Sequence, residues 1–413
     1  MSSPAQATPS PKGKSDNLPL SGIRVLDFTQ VMAGPFCTML LADMGADIIK
    51  VEPPGRGDQT RGSMGFRMKG DDSLGFINLN RNKRSITVDL KTAGGKELIH
   101  ELVAQADIIV ENFRPGVMAK LGIDYDTLQA RHPGLIYASI SGFGQSGPWA
   151  MRPGYDLMAQ AMSGIMSVTG EEDGPPLKAG VPVGDIGCAL FTAFSILAAY
   201  IERQRSGQGQ HIDTALMDTA MAFAVWDISE YWGTGRVPTP LGTANRMSAP
   251  YQAVRCADGH FVMGANNDKL WRTLCQVIGR GELIDDARFT TISLRLANRL
   301  ELIAALEDTF LTQSREYWIS LLQDKGIPAG PILDYAESFV SEQAAHRGMK
   351  MDIDHPIEGT VPVIGFVPKL SRTPPAMRLA PPLLGQHTRD ILDELGISDD
   401  ARQRLESEGV FGS

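Results

Sequence analysis

The sequence predicts an α/β protein with two domains, a larger one built on a parallel sheet of the doubly wound type and a smaller one of α+β character. In the first half of the chain, short β-branched runs alternate with helical segments, as in strands joined by helical crossovers. From about residue 223 to 330, a hairpin and consecutive helices replace this alternation. A chain of 413 residues with 43% hydrophobic content is long enough for both domains.

The elements of the large domain follow from the spacing of apolar residues. Strands are expected over 23–28, 47–51, 107–110 and 135–140. Helices are expected over 34–44, 91–105, 189–204 and 212–226. Ligands of such a sheet bind beyond the carboxyl ends of its strands.

The small domain is predicted to begin with a hairpin, because Ala257-Asp258-Gly259 separates the strand-like runs 251–255 and 260–265. Helices follow over 269–278, 297–312 and 314–325, and 326–331 suits a linker back to the large domain. The predicted boundaries are therefore 18–222 with 331–413 for the large domain and 223–330 for the small one. Residues 1–17 are polar and rich in Ser, Pro and Lys, which is typical of a disordered tail.

Composition excludes several classes of function. A formal charge of −9 and a pI near 5.4 argue against a nucleic-acid partner. The four cysteines and seven histidines lack metal-ligand spacing, so no metal is expected. We expect no membrane partner, because the longest apolar stretch looks too short and interrupted, and the chain lacks a secretory signal, which favours the cytoplasm. The basic cluster 81–84 suits a solvated turn better than a phosphate site.

No nucleotide cofactor is expected either. The turn after the first strand, Thr29-Gln30-Val31-Met32-Ala33-Gly34-Pro35, lacks the G-x-G-x-x-G fingerprint, and no Walker A sequence occurs. Neither hydride transfer nor ATP hydrolysis is therefore supported. An acyl activation catalysed by this chain would have to take its energy from the substrate.

The stretch Gly184-Asp185-Ile186-Gly187-Cys188 is the strongest functional signal. It places a carboxylate between two glycines at the start of an apolar run, and the glycines would leave room for a substrate. Asp185 is either a nucleophile that forms covalent acyl intermediates or only the N-cap of the following helix.

An ordered set of further motifs identifies the family that the chain resembles. The runs are Val25–Phe28, Ala33–Pro35, Gly45–Glu52, Asn80–Ser85, Glu111–Gly116, Ser141–Pro148, Gly154–Asp156, Gly184-Asp185 and Pro381–Thr388. Together they resemble the class III CoA-transferases, which include formyl-CoA and carnitine CoA-transferases. The resemblance covers about residues 18–410.

This resemblance implies a Rossmann-like large domain, a small domain and a homodimer whose two chains are interlocked as rings. It also implies coenzyme A as part of an acyl-CoA substrate, a carboxylic acid as acceptor, and Asp185 as the nucleophile. The resemblance further implies that Val31, Met32 and Ala33 line the CoA path and that Tyr155 and Asp156 lie next to the reacting thioester. The residues that align with CoA-contacting positions are Lys91, Asn112, Phe113, Arg114 and Lys120. Formyl-CoA transferases carry an arginine where Pro53 stands here. For Phe113 a core-packing role stays open, and for Asp156 a capping role.

The implied chemistry is an exchange of CoA between two acids. Asp185 is expected to be ionised at neutral pH and to form first an aspartyl–acyl anhydride and then an aspartyl–CoA thioester. Backbone N–H groups near 184–188 are expected to stabilise the oxyanions. The stretch 242–245, followed by 249–253, resembles members that use dicarboxylates, so succinyl-CoA is the expected donor and a short dicarboxylate the acceptor. Arg246, Arg67 and Arg84 are the candidates for binding a distal carboxylate.

Other functions remain as alternatives. An acyl-CoA racemase or epimerase of the same fold needs two bases at the substrate α-carbon. Racemases carry Gly-His-Asp where this chain has Gly154-Tyr155-Asp156. A non-catalytic CoA-binding protein and a nicotinamide-dependent oxidoreductase are further alternatives, of which the second is disfavoured by the missing glycine fingerprint.

Overall fold

The computed structural model describes residues 18–62 and 65–412, and the predicted disordered tail over 1–17 lies outside them. The described chain divides into two compact units. The larger comprises the described parts of Met1–Ser163, Gly180–Phe223 and Gln343–Ser413, and the smaller comprises Gly164–Ala179 and Ala224–Glu342. Relative to the predicted domain boundaries, which stay a prediction, this division assigns 164–179 and 331–342 to the smaller unit.

The larger unit contains a six-stranded parallel sheet. Its strands are β1 (Arg24–Asp27), β2 (Asp47–Glu52), β3 (Lys83–Thr87), β4 (Ile108–Glu111), β5 (Ile136–Ser141) and β6 (His211–Ala215). They lie in the order β3-β2-β1-β4-β5-β6, and every pair is parallel. This confirms the predicted α/β fold with a parallel sheet. The order reverses between β1 and β4, which is the point where such sheets bind ligands.

The smaller unit contains the three-stranded antiparallel sheet β7 (Tyr251–Cys256), β8 (Gly259–Gly264) and β9 (Ala329–Pro331). The predicted hairpin is thus present, but part of the predicted linker is a strand that pairs with β8. Back in the larger unit, β10 (Lys350–His355) and β11 (Gly359–Ile364) form a second hairpin.

The helices, in chain order, connect these strands. They are α1 (Ala33–Asp43), α2 (Gln59–Gly62), α3 (Leu74–Leu79), α4 (Ala93–Ala104), α5 (Val117–Leu121), α6 (Tyr125–Gln129), α7 (Asp156–Ser163), α8 (Ile165–Val168), α9 (Val183–Ser206), α10 (Leu216–Ala222), α11 (Val225–Thr234), α12 (Asp268–Val277), α13 (Ile292–Ala297), α14 (Arg299–Phe310), α15 (Arg315–Asp324), α16 (Tyr335–Val340), α17 (Glu342–His346), α18 (Thr388–Glu394) and α19 (Asp399–Ser407). A short 3₁₀ helix covers Gly281–Ile284.

Two segment predictions were wrong at the edges of the sheet. The segment 212–226 was expected to be helical, but its first residues belong to β6, which pairs with β5 from Tyr137 to Ser141. The basic cluster 81–84 was expected to be a solvated turn, but Arg81 and Lys83 are buried, and Lys83 begins β3. Both segments gain their structure from partners distant in sequence, which local apolar spacing does not reveal.

Helix α9 is the longest helix of the described chain and packs along α1. It has 24 residues, and one 18-residue window reaches a mean hydropathy of 1.6, so by length and composition alone it could cross a membrane. The expectation that no stretch is long and apolar enough was therefore wrong, although core helices of soluble proteins pass the same test. One side of α9 is buried, whereas Leu190, Phe194, Leu197 and Ile201 are exposed.

Candidate active site

The loop between β1 and α1 lies where the strand order reverses. Asn112, directly after β4, holds this loop through its side-chain amide. Its Oδ1 accepts the Gln30 N–H at 2.8 Å, and its Nδ2 donates to the Gln30 carbonyl at 2.7 Å. The neighbouring Val31 N–H donates to Asp58 Oδ1 at 3.1 Å. Both ends of the Gln30–Val31 segment are therefore tied to side chains from other parts of the unit.

Val31 itself has an unusual backbone conformation, with φ at +68°. This region is costly for a β-branched residue because Cβ crowds the backbone. Strained backbone of this kind persists only where surrounding contacts enforce it, and it is frequent at functional sites. The hydrogen bonds from Asn112 and Asp58 hold Gln30 and the Val31 N–H directly at this position.

Asp185 is the third residue of α9, so it is not the N-cap of that helix. The N-cap position belongs to Pro182. Among the residues that the structure describes, the Asp185 carboxylate accepts no hydrogen bond and forms no ion pair. The interpretation of Asp185 as a mere helix cap is therefore wrong.

The cap of α9 comes instead from Asp156, the first residue of α7. Asp156 Oδ1 accepts the Gly184 N–H at 2.8 Å and the Asp185 N–H at 3.4 Å. Asp156 Oδ2 accepts a hydrogen bond from Gln160 Nε2 at 2.6 Å. The sequence left open that Asp156 caps its own helix, the one leading to Gln160. The structure shows instead that its carboxylate caps α9, the helix that carries Asp185.

Gly184 and Gly187, on either side of Asp185, let α9 pack closely against neighbouring side chains. A Cβ on Gly184 would lie 3.0 Å from Asp156 Oδ1, and a Cβ on Gly187 would lie 2.4 Å from the Phe223 ring. Side chains at either position would displace the cap or the ring. These glycines are thus required for the close approach of α9 to its neighbours, which differs from the expectation that they leave space for a substrate.

Burial raises the pKa of Asp185 to about 7, and the nearby Asp156 carboxylate adds to the rise. Both effects disfavour the ionised form. The expectation that Asp185 is fully ionised at neutral pH therefore needs correction, because a group with this pKa is about half ionised at pH 7. The Asp185 carboxylate is therefore more basic than an ordinary aspartate, and it has no cationic partner among the described residues.

The carboxylate faces a cavity of about 320 Å³ in the larger unit. Its walls come from the loop after β1, the segment after β4, the end of β5 and the stretch 150–155. The lining residues include Gln30, Val31, Met32, Ala33, Arg56, Gln59, Asn112, Phe113, Arg114, Pro115, Gly142, Arg152, Gly154, Tyr155, Asp185 and Leu216. A volume of this size is within the range of small-ligand sites.

Most of the residues predicted to contact CoA line this cavity. Besides Asp185, they are Val31, Met32, Ala33, Asn112, Phe113, Arg114 and Tyr155. Asp156 does not line the cavity itself. It follows the lining residue Tyr155 and accepts hydrogen bonds from the first turn of α9. Lys91 and Lys120 are exposed on the surface of the same unit and do not line the cavity. Phe113 also packs against the main hydrophobic core, so its packing role is present.

The predicted oxyanion donors at the start of α9 are already engaged. The Gly184 N–H is bound by Asp156, and the Ile186 N–H donates to the Pro182 carbonyl at 3.0 Å. The Asp185 N–H has only the longer bond to Asp156. These amides secure the helix start, so the structure does not support an oxyanion role for the first turn of α9.

The three arginines proposed from the sequence for a distal carboxylate are not among the described residues that line this cavity. Arg246 forms ion pairs with Asp227 and Glu230 in the smaller unit. Arg84 forms ion pairs with Asp47 and Glu394. Arg67 donates to the Gly62 carbonyl and lines a different cavity.

Arg56, Arg114 and Arg152 do line the cavity, and none of them has a carboxylate partner among the described residues. The Arg152 guanidinium stacks on the Trp149 ring, 4.8 Å from its centroid. Arg56 and Arg152 were missed from the sequence. Their only sequence signal is proximity to motifs, since Arg152 directly precedes Pro153-Gly154-Tyr155 and Arg56 follows the end of β2.

Comparison with known proteins places the chain in a family. The model of CoA-transferase family III matches residues 20–388. A succinyl-CoA:glutarate CoA-transferase of Mus musculus is 40% identical over 97% of this chain and 92% of its own length. An acetyl-CoA:oxalate CoA-transferase of Acetobacter aceti is 42% identical over 83% of this chain and 87% of its own.

A solved structure agrees. A CAIB/BAIF family protein from Brucella suis is 41% identical, with a TM-score of 0.81, and the match covers 92% of this chain and 100% of that one. The sequence motifs, the sheet order, the cavity at the reversal point and these relatives point to one conclusion. The chain belongs to CoA-transferase family III and is an enzyme of that class.

Proposed function

We propose that this enzyme moves CoA from succinyl-CoA to a short dicarboxylic acid, with Asp185 as the covalent nucleophile. The observation that carries the proposal is the unpaired carboxylate of Asp185 at a cavity of about 320 Å³. Withdrawing an ionised carboxylate from water without a cation or hydrogen-bond donor costs free energy. Groups kept in this state are common at reactive sites. A purely structural aspartate at this depth would be expected to have a cation or hydrogen-bond donors around it.

The reaction consists of four substitutions at carbonyl carbon. An Asp185 oxygen attacks the thioester carbon of the donor, the C–S bond breaks, and CoA leaves as a thiolate from the resulting aspartyl–acyl anhydride. The thiolate attacks the Asp185 carboxyl carbon, so the donor acid leaves as its carboxylate and an aspartyl–CoA thioester remains. The acceptor carboxylate displaces the thiolate to give a second anhydride. The thiolate then attacks the acceptor carbonyl, which regenerates the Asp185 carboxylate and releases the new acyl-CoA.

No proton is consumed or released overall, and no external energy source is required. The two anhydrides and the thioester are sensitive to water, so the site has to limit the access of water. The half-buried position of Asp185 supports this requirement.

The substrate assignment is supported by the names of several relatives. Besides the mouse protein, relatives with 38–39% identity are named succinyl-CoA:mesaconate and succinyl-CoA–D-citramalate CoA-transferases. The Acetobacter aceti relative, at 42% identity, uses acetyl-CoA and oxalate by its name. Overall identity therefore does not select the acceptor, and the residues of the cavity have to do so.

A second carboxylate on the acceptor requires a cation in the cavity. Arginine suits this role because its planar guanidinium binds carboxylates with two hydrogen bonds. Arg114 is assigned to CoA, in line with the family resemblance, and Arg56 and Arg152 are the two remaining candidates for the distal carboxylate. Arg56 also lies three residues after Pro53, where formyl-CoA transferases have an arginine.

The interlocked homodimer and the cytoplasmic location are part of the same proposal. The exposed apolar residues of α9 support a partner surface, because contiguous apolar patches of monomers are usually small. The four cysteines are free and buried, which is compatible with a reducing compartment. Lys91 and Lys120 remain proposed contacts for the CoA phosphates.

The decisive experiment combines turnover with trapping of the intermediate. We expect succinyl-CoA and glutarate to exchange CoA, and mass spectrometry after treatment with hydroxylamine to show a modification at Asp185. A modification at another residue would contradict the mechanism. Exclusive use of oxalate or carnitine would contradict the substrate assignment.

The racemase alternative makes a different prediction. It requires two bases at the substrate α-carbon, but no histidine is among the described residues that line the cavity. Exchange of the α-proton in D₂O without any acceptor acid would favour the racemase, and its absence together with CoA exchange favours the transferase.

A further inference from the structure

We propose that Asn112 and Asp58 are positioning residues that hold the Gln30–Val31 segment in its strained conformation, so that the part of the cavity wall formed by Val31, Met32 and Ala33 is preformed. This inference deepens the proposed function and rests on it. The family resemblance places Asn112 among the CoA contacts, whereas the structure shows its amide bound to the protein backbone.

The Asn112 side-chain amide forms hydrogen bonds through both its oxygen and its nitrogen. A carboxamide has two N–H donors and two acceptor lone pairs. The peptide groups of Gln30 take one of each at 2.8 and 2.7 Å, which are short distances for such bonds. The side chain therefore acts toward the loop as a paired strand would, by binding both a donor and an acceptor of one residue.

Asp58 holds Val31, the residue that follows Gln30. Its Oδ1 accepts the Val31 N–H, while its Oδ2 lies 2.9 Å from Lys50 Nζ. Lys50 Nζ also donates to the Thr29 carbonyl at 2.8 Å. Lys50 and Asp58 are fully buried, so this anchor is shielded from water and rigid.

The contacts from Asn112 and Asp58 balance the backbone strain at Val31. With φ at +68°, Val31 would relax toward the β region if the N–H groups of Gln30 and Val31 were released. Val31, Met32 and Ala33 line the cavity together with Asp185. A relaxation of Val31 would therefore move the wall against which the acyl-CoA has to lie.

The test separates positioning from direct contact with CoA. For Asn112→Ala we expect kcat to fall on the order of 10–100-fold, because a small misplacement of a substrate has this effect. The KM for succinyl-CoA should stay within about threefold, since no substrate contact is removed. Asn112→Asp keeps an acceptor for the Gln30 N–H but replaces the donor by a carboxylate oxygen that faces the Gln30 carbonyl, so kcat should fall at least as far as in Asn112→Ala. If kcat were retained and KM rose in either variant, Asn112 would be a CoA contact and the proposal would be wrong.

A matched control and a rescue variant sharpen this test. Asn78 is also half-buried, and its amide bridges the Leu74 carbonyl and the Ile364 N–H away from the cavity. Asn78→Ala should reduce stability without lowering kcat. Val31→Gly should partly restore kcat in the Asn112→Ala background, because glycine adopts a positive φ at no steric cost. If Asn112 bound CoA directly, Val31→Gly would not restore kcat in the Asn112→Ala background.

Hydrogen exchange provides a measurement that does not depend on activity. In Asn112→Ala and in Asp58→Asn, the peptide that contains Gln30 and Val31 should exchange its amide protons faster than in the wild type. Unchanged exchange would overturn the inference. If the wild type showed no CoA exchange but the variants showed faster amide exchange, the proposed function would fail and the positioning role would stand.

Discussion

Aspartates at two places in the larger unit are held in opposite ways. Asp27 and Asp58, near the carboxyl ends of β1 and β2, are fully buried and form ion pairs with Lys83 and Lys50. Asp185, at the start of α9, has no cation and lies near a second carboxylate, Asp156. The first group is organised as a structural cluster, and the second leaves one carboxylate unpaired.

The pKa values express this difference. Burial by itself would raise the pKa of Asp27, but the ammonium groups of Lys83 and Lys50 hold it well below its usual range. At Asp185 burial and Asp156 act in the same direction, and the pKa rises to about 7. The comparison teaches that burial alone does not mark a reactive carboxylate, and that the absence of a compensating charge does.

The largest effect is expected for Asp185→Asn. The amide is isosteric but cannot act as the nucleophile, so CoA exchange should fall by roughly 10⁴-fold or more, as for other nucleophile deletions. The rate of exchange between succinyl-CoA and glutarate measures it. Asp218→Asn, an exposed aspartate of α10, is the matched control and should keep the wild-type rate. Substantial turnover by Asp185→Asn would break the comparison.

A large loss of stability is expected for Lys83→Met. This change leaves Asp27 without the ammonium group at 3.0 Å, and breaking one side of a buried pair costs about 3–5 kcal/mol. Denaturant unfolding monitored by circular dichroism measures the free energy of unfolding. A loss of less than about 1 kcal/mol in the free energy of unfolding would contradict the view that Lys83 stabilises the buried Asp27 carboxylate.

A moderate effect is expected for Asp156→Asn. Removing the like charge should lower the pKa of Asp185, so the limb of the pH–kcat/KM profile near pH 7 should move to lower pH. The weaker cap on α9 should cost about 1 kcal/mol of stability. A profile measured from pH 5 to 9 tests this. Movement of the limb to higher pH would show that Asp156 acts on Asp185 in some other way.

A further effect, seen only in the pH dependence of stability, concerns Asp185 itself. Because the pKa of Asp185 is raised on folding, its contribution to stability is fully present below pH 3.8 and is lost as the pH rises through about 7. Asp185→Asn should therefore be more stable than the wild type at pH 8. The expected gain in the free energy of unfolding is on the order of 1–2 kcal/mol, because the remaining contact of the carboxylate with water reduces the effect. The two proteins should be nearly equal at pH 4. Thermal unfolding at both values measures the difference, and a wild type that is the more stable at pH 8 would contradict it.

Much of the fold was predictable because its signals are local. The strands β1, β2, β4 and β5, the helices α1 and α4, and the hairpin β7–β8 all follow from apolar spacing or from one turn. The edge strands β3 and β6 were not predicted. Their segments are polar or mixed, and they become strands through pairing with β2 and β5.

The candidate site was predictable in part for the same reason. Asp185 and most of the cavity-lining residues belong to short motifs that can be recognised along the chain. The partners of these residues could not be recognised, because Asp156 caps a helix 28 positions away and Asn112 binds a loop 82 positions away. The surroundings of the arginine candidates could not be recognised either, since Arg84 and Arg246 have carboxylate partners that only the folded chain brings near.

The sequence by itself determined the class of fold, the family and the identity of the reactive carboxylate, because each of these is written in contiguous residues and their order. The tertiary structure alone decided which charges are paired, which backbone groups are bound and which cations line the cavity. The physical reason is that pairing and desolvation depend on distances in space, and residues far apart in the chain set those distances.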